Sequence, residues 1–370
     1  MPSAVAQAVS NAVLHEWADG LIRSWNGAGW RSLAQRAGDK IARLVGAEPG
    51  QVITCDSTSV NLYKVLVSAV RLRAGRARIV TDVDSFPTDL YIIDEVARQF
   101  GLGVQQVRAA DIPSSLDADV AAVVLTHVDY RTAQVHDMGR YNKAAHAVGA
   151  LMVWDLSHTA GAVPCALDAS GADFAVGCGY KYLNGGPGAP GYLYVAHRHQ
   201  AACDQPLAGW FGHARPFEFS PGYAPAPGVD RFQCGTSPVL ALTALHAALD
   251  AFDGTSMEAL QAQSLALTDA FIHGVDTRLA RHGFTLASPR DRQQRGSHVS
   301  LRHPEGYGVM QALAQRQLIG DFRMPDFMRF GFAPLYNTFD DVQALIDAID
   351  QIMRDASWNS DAHRVRHAFT

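Results

Sequence analysis

The sequence predicts an α/β protein with a large domain built on a mostly parallel sheet and a smaller α+β domain. Two observations support this fold class. Short apolar segments alternate with amphipathic segments of helical length between residues 52 and 196, and from residue 239 onward longer helical patterns replace this alternation. Strands that are separated by helices form parallel sheets with helices on both faces. We therefore predict a large domain over residues 41–238 and a smaller domain formed by residues 1–40 and 239–370.

The first part of the chain is predicted to be helical. Val9, Val13, Trp17 and Leu21 recur at the spacing of one helix face and predict a helix over residues 5–25. A glycine-containing break separates it from a second helix over residues 31–45. The alternating region then predicts helices over residues 59–72, 89–100 and 139–148, and strands over residues 52–54, 78–81, 120–126, 151–154, 174–176 and 191–196.

The remainder of the chain follows a different pattern. Residues 220–228 are rich in proline and glycine and predict an ordered loop. Beyond this loop, the pattern predicts helices over residues 239–252, 257–282 and 340–356, and strands over residues 298–302 and 327–332.

Composition and charge argue against several classes of function. The net charge is −5 at pH 7 and no long basic run occurs, so nucleic acid is not predicted as a partner. No apolar run is long enough for a transmembrane helix, and the first residues lack the pattern of a signal peptide. The five cysteines are scattered without a C-x-x-C pair, so neither a disulfide framework nor a metal site is predicted. This cysteine usage fits the reducing cytoplasm.

One lysine follows the end of a predicted strand. In residues 173–188 an apolar strand leads into Tyr180 and Lys181 and then into a glycine-rich turn. Asp155 ends an earlier strand, at the edge of the sheet where α/β proteins bind ligands. Pyridoxal 5′-phosphate (PLP) requires a lysine that forms a Schiff base and a carboxylate that pairs with its pyridinium nitrogen. Lys181 and Asp155 therefore indicate a PLP site.

Two loops carry residues with two interpretations each. Ser57, Thr58 and Ser59 stand where the first strand meets its helix, either as simple caps or as a phosphate site with the free N–H groups of the helix end. Phe86 precedes a proline that starts a helix. It is interpreted either as a core aromatic or as a ring stacked on the cofactor, with Asp89 as a helix cap or a polar neighbour of that ring.

Further candidates lie in strand and loop contexts. Arg329 stands within an apolar strand, where a buried guanidinium needs an anion. This anion is either an acidic side chain of the protein or the α-carboxylate of an amino acid substrate. His158, Trp210 and Thr236 are interpreted either as packing residues or as contacts to the cofactor or substrate.

Together these motifs resemble those of kynureninase, a family of PLP-dependent hydrolases with fold type I of the aspartate aminotransferase class. The similarity extends from about residue 17 to residue 337 and includes DLSHTAG at residues 155–161 and GYKYLNGGPG at residues 179–188. The other matching segments are residues 22–26, 57–62, 86–91, 209–213, 295–301 and 334–337. Several long motifs in the right order are more specific than any one of them.

The resemblance implies a role for each matching residue. It implies that Lys181 forms the Schiff base, that Asp155 pairs with the pyridinium nitrogen, and that Tyr180 binds the phosphate and relays protons. Arg329 is implied to bind the substrate carboxylate. The other implied cofactor contacts are Thr58, Ser59, Phe86, Asp89, Thr126, His158, Trp210 and Thr236.

The resemblance also implies a reaction and an assembly. The reaction is hydrolysis of L-kynurenine at its Cβ–Cγ bond to anthranilate and L-alanine, in tryptophan catabolism and NAD biosynthesis. Trp30, Gly235 and Thr236 match the bacterial pattern for the substrate site, which favours L-kynurenine over 3-hydroxykynurenine because fewer polar groups face the ring. A homodimer is implied, with Trp210 and Thr236 reaching the phosphate or substrate across its interface.

Two alternatives stay open on the sequence alone. One is another fold type I lyase of the cysteine desulfurase kind, for which Cys234 would be the candidate catalytic thiol. The other is a homologue with impaired catalysis. Kynureninases normally begin with a segment containing an Asp-Gly-Asn-Ser-Leu-Gly-like motif, whereas this sequence begins with MPSAV. We therefore expect either that the start codon is assigned too late or that the protein is a truncated or diverged member.

Overall fold

A computed structural model describes residues 2–365, which pack into two units. The first unit comprises the residues up to His127 together with Asp137–Gly254. The second comprises Val128–His136 and the residues from Thr255 onward. Each unit has its own cluster of buried apolar side chains.

A seven-stranded sheet forms the centre of the first unit, with the strand order β1-β7-β6-β5-β4-β2-β3. The strands β2 to β6 pair in parallel, and β7 runs antiparallel to both of its neighbours. The carboxyl ends of β1, β2, β4, β5 and β6 therefore lie at one edge. The bounds are β1 Val52–Thr54, β2 Arg78–Asp82, β3 Gly103–Val107, β4 Val120–Thr126, β5 Leu151–Asp155, β6 Phe174–Cys178 and β7 Gly191–Val195.

Local sequence sets the ends of the helices around this sheet. Ser57 caps α4 by accepting a hydrogen bond from the backbone N–H of Val60, and Pro87 occupies the first turn of α5. Gly101 ends α5 with a φ of 67°, which favours glycine. The bounds are α1 Ser3–Asn11, α2 Ser24–Gly27, α3 Leu33–Val45, α4 Thr58–Leu72, α5 Pro87–Phe100, α6 Met138–Ala147, α7 Leu167–Ser170, α8 His197–Gln200 and α9 Val239–Ala248.

The amino-terminal helix is less regular than predicted. After α1, residues Ala12–Gly20 form a π-helix and Leu21–Arg23 a 3₁₀ turn. The φ of 50° at Leu21 breaks the helix, and Ser24 Oγ compensates by donating a hydrogen bond to the backbone oxygen of Glu16 at 2.7 Å. The prediction of one continuous helix over residues 5–25 is therefore wrong, because the helix is interrupted at Leu21.

The division into units differs from the predicted domain boundaries at three places. Val128–His136 belongs to the second unit, although it was predicted in the large domain. Residues 1–40 and 239–254 belong to the first unit, although both were predicted in the smaller domain. The reason is packing, because Val5 of α1 forms a buried apolar cluster with Ala247 and Ala248 at the end of α9. A hydrophobic helix face shows that this side of the helix is buried, but it does not show which element packs against it.

An antiparallel sheet in the order β10-β11-β9-β8 forms the centre of the second unit. Its core includes Phe271, whose ring packs against those of Phe330 and Phe332. Thr338 and Asp341 form a capping box that begins α12. The bounds are β8 Thr285–Leu286, β9 His298–Arg302, β10 Asp321–Arg323, β11 Phe327–Gly331, α10 Met257–Gly274, α11 Gly306–Gln315, α12 Phe339–Arg354 and α13 Asp361–Arg364.

In the second unit, the helix predicted over residues 257–282 continues beyond α10 as a π-helix over Val275–Leu279 and a 3₁₀ turn over Ala280–His282. Across residues 2–365, no helix combines the length and apolar character needed to cross a bilayer.

Candidate active site

The polar residues predicted from the sequence lie where β5 and β6 end. Asp155 is the last residue of β5, and Tyr180 and Lys181 lie in the turn that follows β6. The two strands are parallel neighbours, with Asp155 opposite Val176 in the register. This geometry places the aspartate and the lysine at the same edge of the sheet, as predicted.

The Asp155 carboxylate is buried and held in a fixed orientation. Its Oδ1 accepts hydrogen bonds from the backbone N–H of Ser157 at 2.8 Å and from Ser157 Oγ at 2.6 Å. On β4, Thr126 pairs with Asp155 in the register and donates from Oγ1 to its backbone oxygen at 3.4 Å. These bonds fix the orientation of the Asp155 carboxylate.

A second buried carboxyl group lies beside the first. Asp89, in the first turn of α5, shares a hydrogen bond with Asp155. Burial, the charge of Asp155 and this hydrogen bond raise the pKa of Asp89 well above its usual value, although the Lys181 charge acts in the opposite direction. Asp89 is therefore the protonated member of the pair and donates to Asp155.

Among the lysines of the chain, Lys181 is distinguished by its surroundings. The sequence contains four: Lys40, Lys64, Lys143 and Lys181. Lys40 and Lys64 are held in ion pairs with aspartates, and Lys143 is exposed on α6. Lys181 is partly exposed at the ligand-binding edge, with its Nζ 5.5 Å from the centre of the Tyr180 ring. It is thus the lysine best placed to bond covalently to a cofactor carbonyl.

Tyr180 carries a phenol that stays protonated. Burial and the neighbouring Cys178 thiol raise the pKa of Tyr180 to about 12. Burial also raises the pKa of Cys178, whose Sγ lies 3.7 Å from the backbone oxygen of Ser157. At neutral pH Tyr180 is therefore a hydrogen-bond donor and proton carrier, and not a phenolate.

The loop between β1 and α4 has the features of a phosphate site. The hydroxyl oxygen of Thr58 is buried without a hydrogen-bond partner among the described residues. Gly191 lies so close that a Cβ on it would meet the Thr58 backbone nitrogen at 2.9 Å, which keeps side chains out of this position. An unpaired hydroxyl at the first turn of a fifteen-residue helix fits a phosphate group, and the role of Thr58 and Ser59 as phosphate ligands stays a prediction.

The two other predicted contacts near this edge are accessible. Phe86 is 41% exposed at the start of α5, which argues against its interpretation as a core aromatic. A ring in this position can stack on a planar ligand. His158 is partly exposed in the turn after Asp155.

Trp210 and Thr236 lie on two loops that hydrogen-bond to each other. The backbone N–H of Phe211 donates to the oxygen of Cys234 at 3.2 Å. Trp210 is 39% exposed and packs against Phe211, whereas Gly235 and Thr236 are exposed. Their exposure agrees with a role toward a ligand or a partner chain, which stays a prediction.

Trp30 has a different environment from the other predicted residues. It is buried, and its indole N–H donates to Glu16 Oε2 at 2.7 Å. Its ring packs edge-on against Trp25 at 5.6 Å, and Trp25 packs against Phe211. The structure therefore uses the polar atom of Trp30 to hold the amino-terminal helices, and its contact with a substrate stays a prediction.

Arg329 belongs to the second unit and already has an anionic partner. Asp321 of β10 lies directly opposite it in the register of β11. Arg329 Nε donates to Asp321 Oδ1 at 2.6 Å, Nη2 donates to the other carboxylate oxygen, and Nη1 donates to the backbone oxygen of Tyr130. The internal ion pair that the sequence left open is thus present, and the substrate clamp stays a prediction.

Several residues with a role in the site were missed from the sequence. Ser157 could have been found, because a serine two residues after an aspartate often bonds back to it. Asp321 gave no signal, since its pairing with Arg329 depends on a β-hairpin whose first strand was not predicted. The ion pair of Lys64 with Asp56 behind the phosphate loop was also missed, although a lone lysine in the apolar run of α4 is unusual.

The cysteines do not form an activated thiol. Cys234 is partly buried, and its burial raises the pKa of its thiol. Burial likewise raises the pKa values of Cys55, Cys165 and Cys203 to about 12. Since the thiolate is the nucleophilic form, these environments argue against the cysteine desulfurase alternative.

Comparison with solved structures shows the fold. The apo structure of a cysteine desulfurase from Thermococcus onnurineus NA1 superposes with a TM-score of 0.81 at 19% identity, covering 96% of this chain and 92% of that one. The cystine C-S lyase C-DES, in complex with cysteine persulfide, superposes with a TM-score of 0.83 at 18% identity, covering 95% and 94%. The chain therefore has the predicted fold type I architecture of PLP-dependent enzymes.

Sequence comparison shows the family. The family model described as the kynureninase C-terminal domain matches residues 260–349. The kynureninase of Pseudomonas fluorescens is 47% identical over 372 residues, covering 99% of this chain and 89% of that protein. The kynureninase of Burkholderia pseudomallei strain K96243 is 45% identical over 376 residues, covering 100% and 90%. This chain belongs to the kynureninase family.

Proposed function

We propose that the protein is a PLP-dependent hydrolase that converts L-kynurenine and water to anthranilate and L-alanine. The observation that carries the proposal is the group of Lys181, Asp155 and Asp89 at one edge of the sheet, in a chain that is 47% identical to a named kynureninase over almost its full length. The desulfurase alternative rests on structural neighbours of 15–21% identity, which share the fold alone.

The residues at this edge fit each part of the cofactor. Lys181 Nζ would bond covalently to its carbonyl carbon, and Asp155 would pair with its pyridinium nitrogen. Thr58 Oγ1, which has no hydrogen-bond partner in the described structure, would bind the phosphate together with Ser59 and the N–H groups that begin α4. Phe86 would cover one face of the ring. The implied contacts of Thr126 and His158 would complete the set.

The buried carboxyl pair would control the charge next to the cofactor. Ser157 holds one oxygen of Asp155, and the protonated Asp89 supports its negative charge with a hydrogen bond. A carboxylate that stays charged would keep the pyridine nitrogen protonated. When bound, PLP supplies an electron sink that lowers the energy of negative charge on the substrate carbon beside the amino group.

Proton transfer would fall to the two residues after β6. Once the amino group of the substrate has replaced Lys181 Nζ on the carbonyl carbon, the freed Nζ would remove the proton from the α-carbon of the substrate, at a distance that the bound amino group fixes. Tyr180 Oη, a protonated phenol, would relay a proton during the later steps. Attack of water on the γ-carbonyl carbon then breaks the Cβ–Cγ bond, so that anthranilate and L-alanine together contain the atoms of L-kynurenine and water.

Arg329 would recognise the α-carboxylate of the substrate. Its bonds to Asp321 and Tyr130 engage one N–H on each guanidinium nitrogen, and Nη1 and Nη2 each carry a second. The pairing with Asp321 would hold the guanidinium plane ready for a second carboxylate. Trp30, Gly235 and Thr236 would shape the ring pocket and favour L-kynurenine over 3-hydroxykynurenine.

We also propose a homodimer in the cytoplasm. Apolar side chains on the amino-terminal helices are exposed, among them Leu14, Leu21 and Ile22 at 61%, 65% and 79%. Apolar patches of this kind are typical of protein interfaces. The cysteines Cys55, Cys165, Cys178, Cys203 and Cys234 are free thiols, as is usual for cytoplasmic proteins. Trp210 and Thr236 would reach the partner's site.

A product assay tests this function. The PLP-loaded protein is supplied separately with L-kynurenine, 3-hydroxykynurenine and L-cysteine, and the assay measures the fluorescence of the anthranilates and the release of sulfide. We expect anthranilate from L-kynurenine, a lower kcat/KM with 3-hydroxykynurenine and no sulfide. Sulfide release without anthranilate would establish the desulfurase alternative and reject the proposal.

A further inference from the structure

The proposed reaction gives no role to the buried cation Lys64. Lys64 lies in the second turn of α4, and its side chain is 0% exposed. An ammonium group in the interior costs several kcal/mol unless it is paired and hydrogen-bonded. Lys64 lies directly beneath the phosphate loop, and a role in holding that loop would account for this cost.

The ammonium group of Lys64 connects two segments of backbone. Its Nζ pairs with the carboxylate of Asp56, lies 3.6 Å from Cys55 Sγ and donates to the backbone oxygen of Phe232 at 2.6 Å. Burial acts to lower the pKa of Lys64, but Cys55 and Asp56 outweigh it and raise that pKa. Lys64 is therefore charged, with its three N–H donors directed at these groups.

The first segment is the loop that carries the predicted phosphate ligands. Asp56 directly precedes the cap Ser57 and the ligand Thr58, and it has a φ of 46°. This left-handed conformation costs roughly 1 kcal/mol in a residue with a side chain. The ion pair with Lys64 offsets that cost, so Lys64 fixes the backbone that turns the N–H groups of α4 toward a ligand.

The same loop is held from two further directions. Asn61, one turn before Lys64 on α4, donates from Nδ2 to the backbone oxygen of Cys55 at 2.6 Å. The backbone N–H of Gly191 donates to the oxygen of Asp56 at 2.7 Å. Buried bonds from a helix and from a neighbouring strand leave the loop little freedom, which is how binding sites are preorganised.

The second segment leads to a residue that is predicted to reach the phosphate or substrate in the partner's site. Phe232, whose oxygen accepts from Lys64, lies four residues before Thr236 on the same loop. Lys64 thus ties together the two loops that carry Thr58 and Thr236. A structural ion pair elsewhere in the fold would not join two ligand-bearing loops in this way.

We infer that Lys64 is a positioning residue for the phosphate group of the cofactor. It acts through Asp56 and the Phe232 carbonyl and does not itself touch the cofactor or substrate. The inference rests on the proposed use of PLP and specifies which part of PLP depends on Lys64. Loss of the Lys64 charge should weaken binding of the phosphate and leave binding of the ring and the aldehyde nearly unchanged.

The test compares two ligands that differ only in the phosphate. Apoprotein is titrated with PLP and with pyridoxal, and the Kd of each is measured from absorbance and tryptophan fluorescence. In Lys64→Met we expect the Kd for PLP to rise on the order of tenfold to a hundredfold, as loss of charge-assisted bonds predicts. The Kd for pyridoxal should change less than threefold by the same reasoning.

A matched control uses a lysine with similar partners in another place. Lys40 pairs with Asp250 and donates to the backbone oxygen of His246 at 3.1 Å. Lys40→Met removes an equivalent set of bonds away from the loop and should leave both Kd values unchanged. Asp56→Asn is a second test. Asparagine tolerates the left-handed conformation, and the substitution removes the charge of Asp56, which is the partly exposed member of the ion pair.

Each outcome decides a separate point. Equal weakening of PLP and pyridoxal in Lys64→Met, or no weakening of either, overturns the positioning role. If Lys64→Met does not fold, as judged by circular dichroism, the ratio of the two Kd values in Asp56→Asn decides by the same criterion. If the wild type binds PLP no more tightly than pyridoxal, the proposed cofactor itself is rejected, independently of Lys64.

Discussion

At the scale of single residues, Asp89 and Asp155 show how the site controls charge. Two buried carboxyl groups in hydrogen-bond contact cannot both ionise at low cost. Asp155 has Ser157 as a donor to one of its oxygens, whereas burial and the charge of Asp155 act against ionisation of Asp89. The raised pKa of Asp89 therefore favours its protonated form beside the residue that the family pattern assigns to the pyridinium nitrogen.

This arrangement predicts a pH-dependent effect of Asp89→Asn on the apoprotein. The pKa of Asp89 is raised in the folded state, so the stability that its proton contributes is fully present below about pH 4 and is lost as pH rises through the folded pKa. Asparagine does not titrate. We expect Asp89→Asn to be more stable than the wild type at pH 8 by about 1 kcal/mol, and this difference should shrink toward pH 4.

Urea unfolding of both apoproteins across this pH range measures the effect. A stability difference that stays constant between pH 4 and pH 8 would show that the pKa of Asp89 is not raised in the folded apoprotein. That result would contradict the assignment of the shared proton.

Arg329 carries the prediction for substrate binding. Arg329→Ala should raise KM for L-kynurenine at least about tenfold, because a charge-assisted bidentate bond is lost, with a smaller change in kcat. Arg329→Lys should recover little of it, since an ammonium group lacks the planar fork. Asp321→Asn breaks the same internal ion pair but leaves the guanidinium in place, so it should raise KM by less than Arg329→Ala does.

Steady-state kinetics with L-kynurenine decide the point. An unchanged KM in Arg329→Ala would reject the carboxylate clamp and leave Arg329 as a structural partner of Asp321. A similar rise of KM in Asp321→Asn would instead indicate that Asp321 orients Arg329 for the substrate.

At the scale of elements, the start of β6 depends on one buried carboxylate. Asp173 accepts hydrogen bonds from His146 Nε2 at 2.8 Å, from His199 Nε2 at 2.7 Å and from Arg198 Nη2 at 2.7 Å. The backbone N–H of Met152 on β5 also donates to it at 2.8 Å. Asp173 thereby connects β6, the strand that leads to Lys181, with α6, α8 and β5.

We predict that Asp173→Asn destabilises the protein by about 3 kcal/mol at pH 7, the usual cost of removing one partner from a buried ion network. Burial acts to raise the pKa of Asp173, but its hydrogen bonds to His146 and His199 hold that pKa well below its usual range. This stability is present above the unfolded pKa, near 4, and is lost as pH falls through the folded pKa. Denaturant unfolding at pH 7 and in acid checks both the size and the direction, and a loss that grows in acid would contradict the assignment.

The elements that the sequence predicted well are those with strong burial patterns. The strand over residues 120–126 was predicted with its observed bounds, because every residue in it is apolar or small and all are buried. In contrast, β3 was not predicted. Its sequence GVQQV contains two polar residues, because the strand pairs on one side only and is not fully buried. The helix α11 was missed because Gly306 and Gly308 weaken its helical pattern. Gly306 is required by packing, since a Cβ there would meet Met328 at 2.9 Å.

For the site, the sequence located single residues better than the contacts among them. Lys181, Asp155 and Thr58 lie at or after the ends of strands whose carboxyl ends share one edge, so their placement at this edge followed from topology. The pairings of Arg329 with Asp321 and of Lys64 with Asp56 depend on tertiary packing. No local sequence pattern predicts such contacts, because each of these charged residues, taken alone, is typical of a protein surface.

At the scale of the whole molecule, exposed apolar residues predict how copies of the chain associate. Leu21 and Ile22 are exposed on the amino-terminal helices, as is Ile319 in the second unit. If the amino-terminal residues lie in the dimer interface, Leu21→Glu should shift the protein toward monomer, because a buried charge without a partner is costly. Ile319→Glu is the matched control and should stay dimeric.

Light scattering across a dilution series measures the molar mass of each variant. A wild type that is monomeric at all concentrations would reject the homodimer. Dissociation by Ile319→Glu but not by Leu21→Glu would place the interface on the second unit instead.

The central claim is that Lys181 holds the cofactor of a kynurenine hydrolase. The most direct measurement treats PLP-loaded protein with borohydride, digests it and locates the modified lysine by mass spectrometry, while an untreated sample is assayed for anthranilate and L-alanine from L-kynurenine. We predict the cofactor on Lys181, with Lys40, Lys64 and Lys143 unmodified, and the two products in equal amounts. Cofactor on any other lysine, or PLP-loaded protein that forms no anthranilate, would contradict the claim.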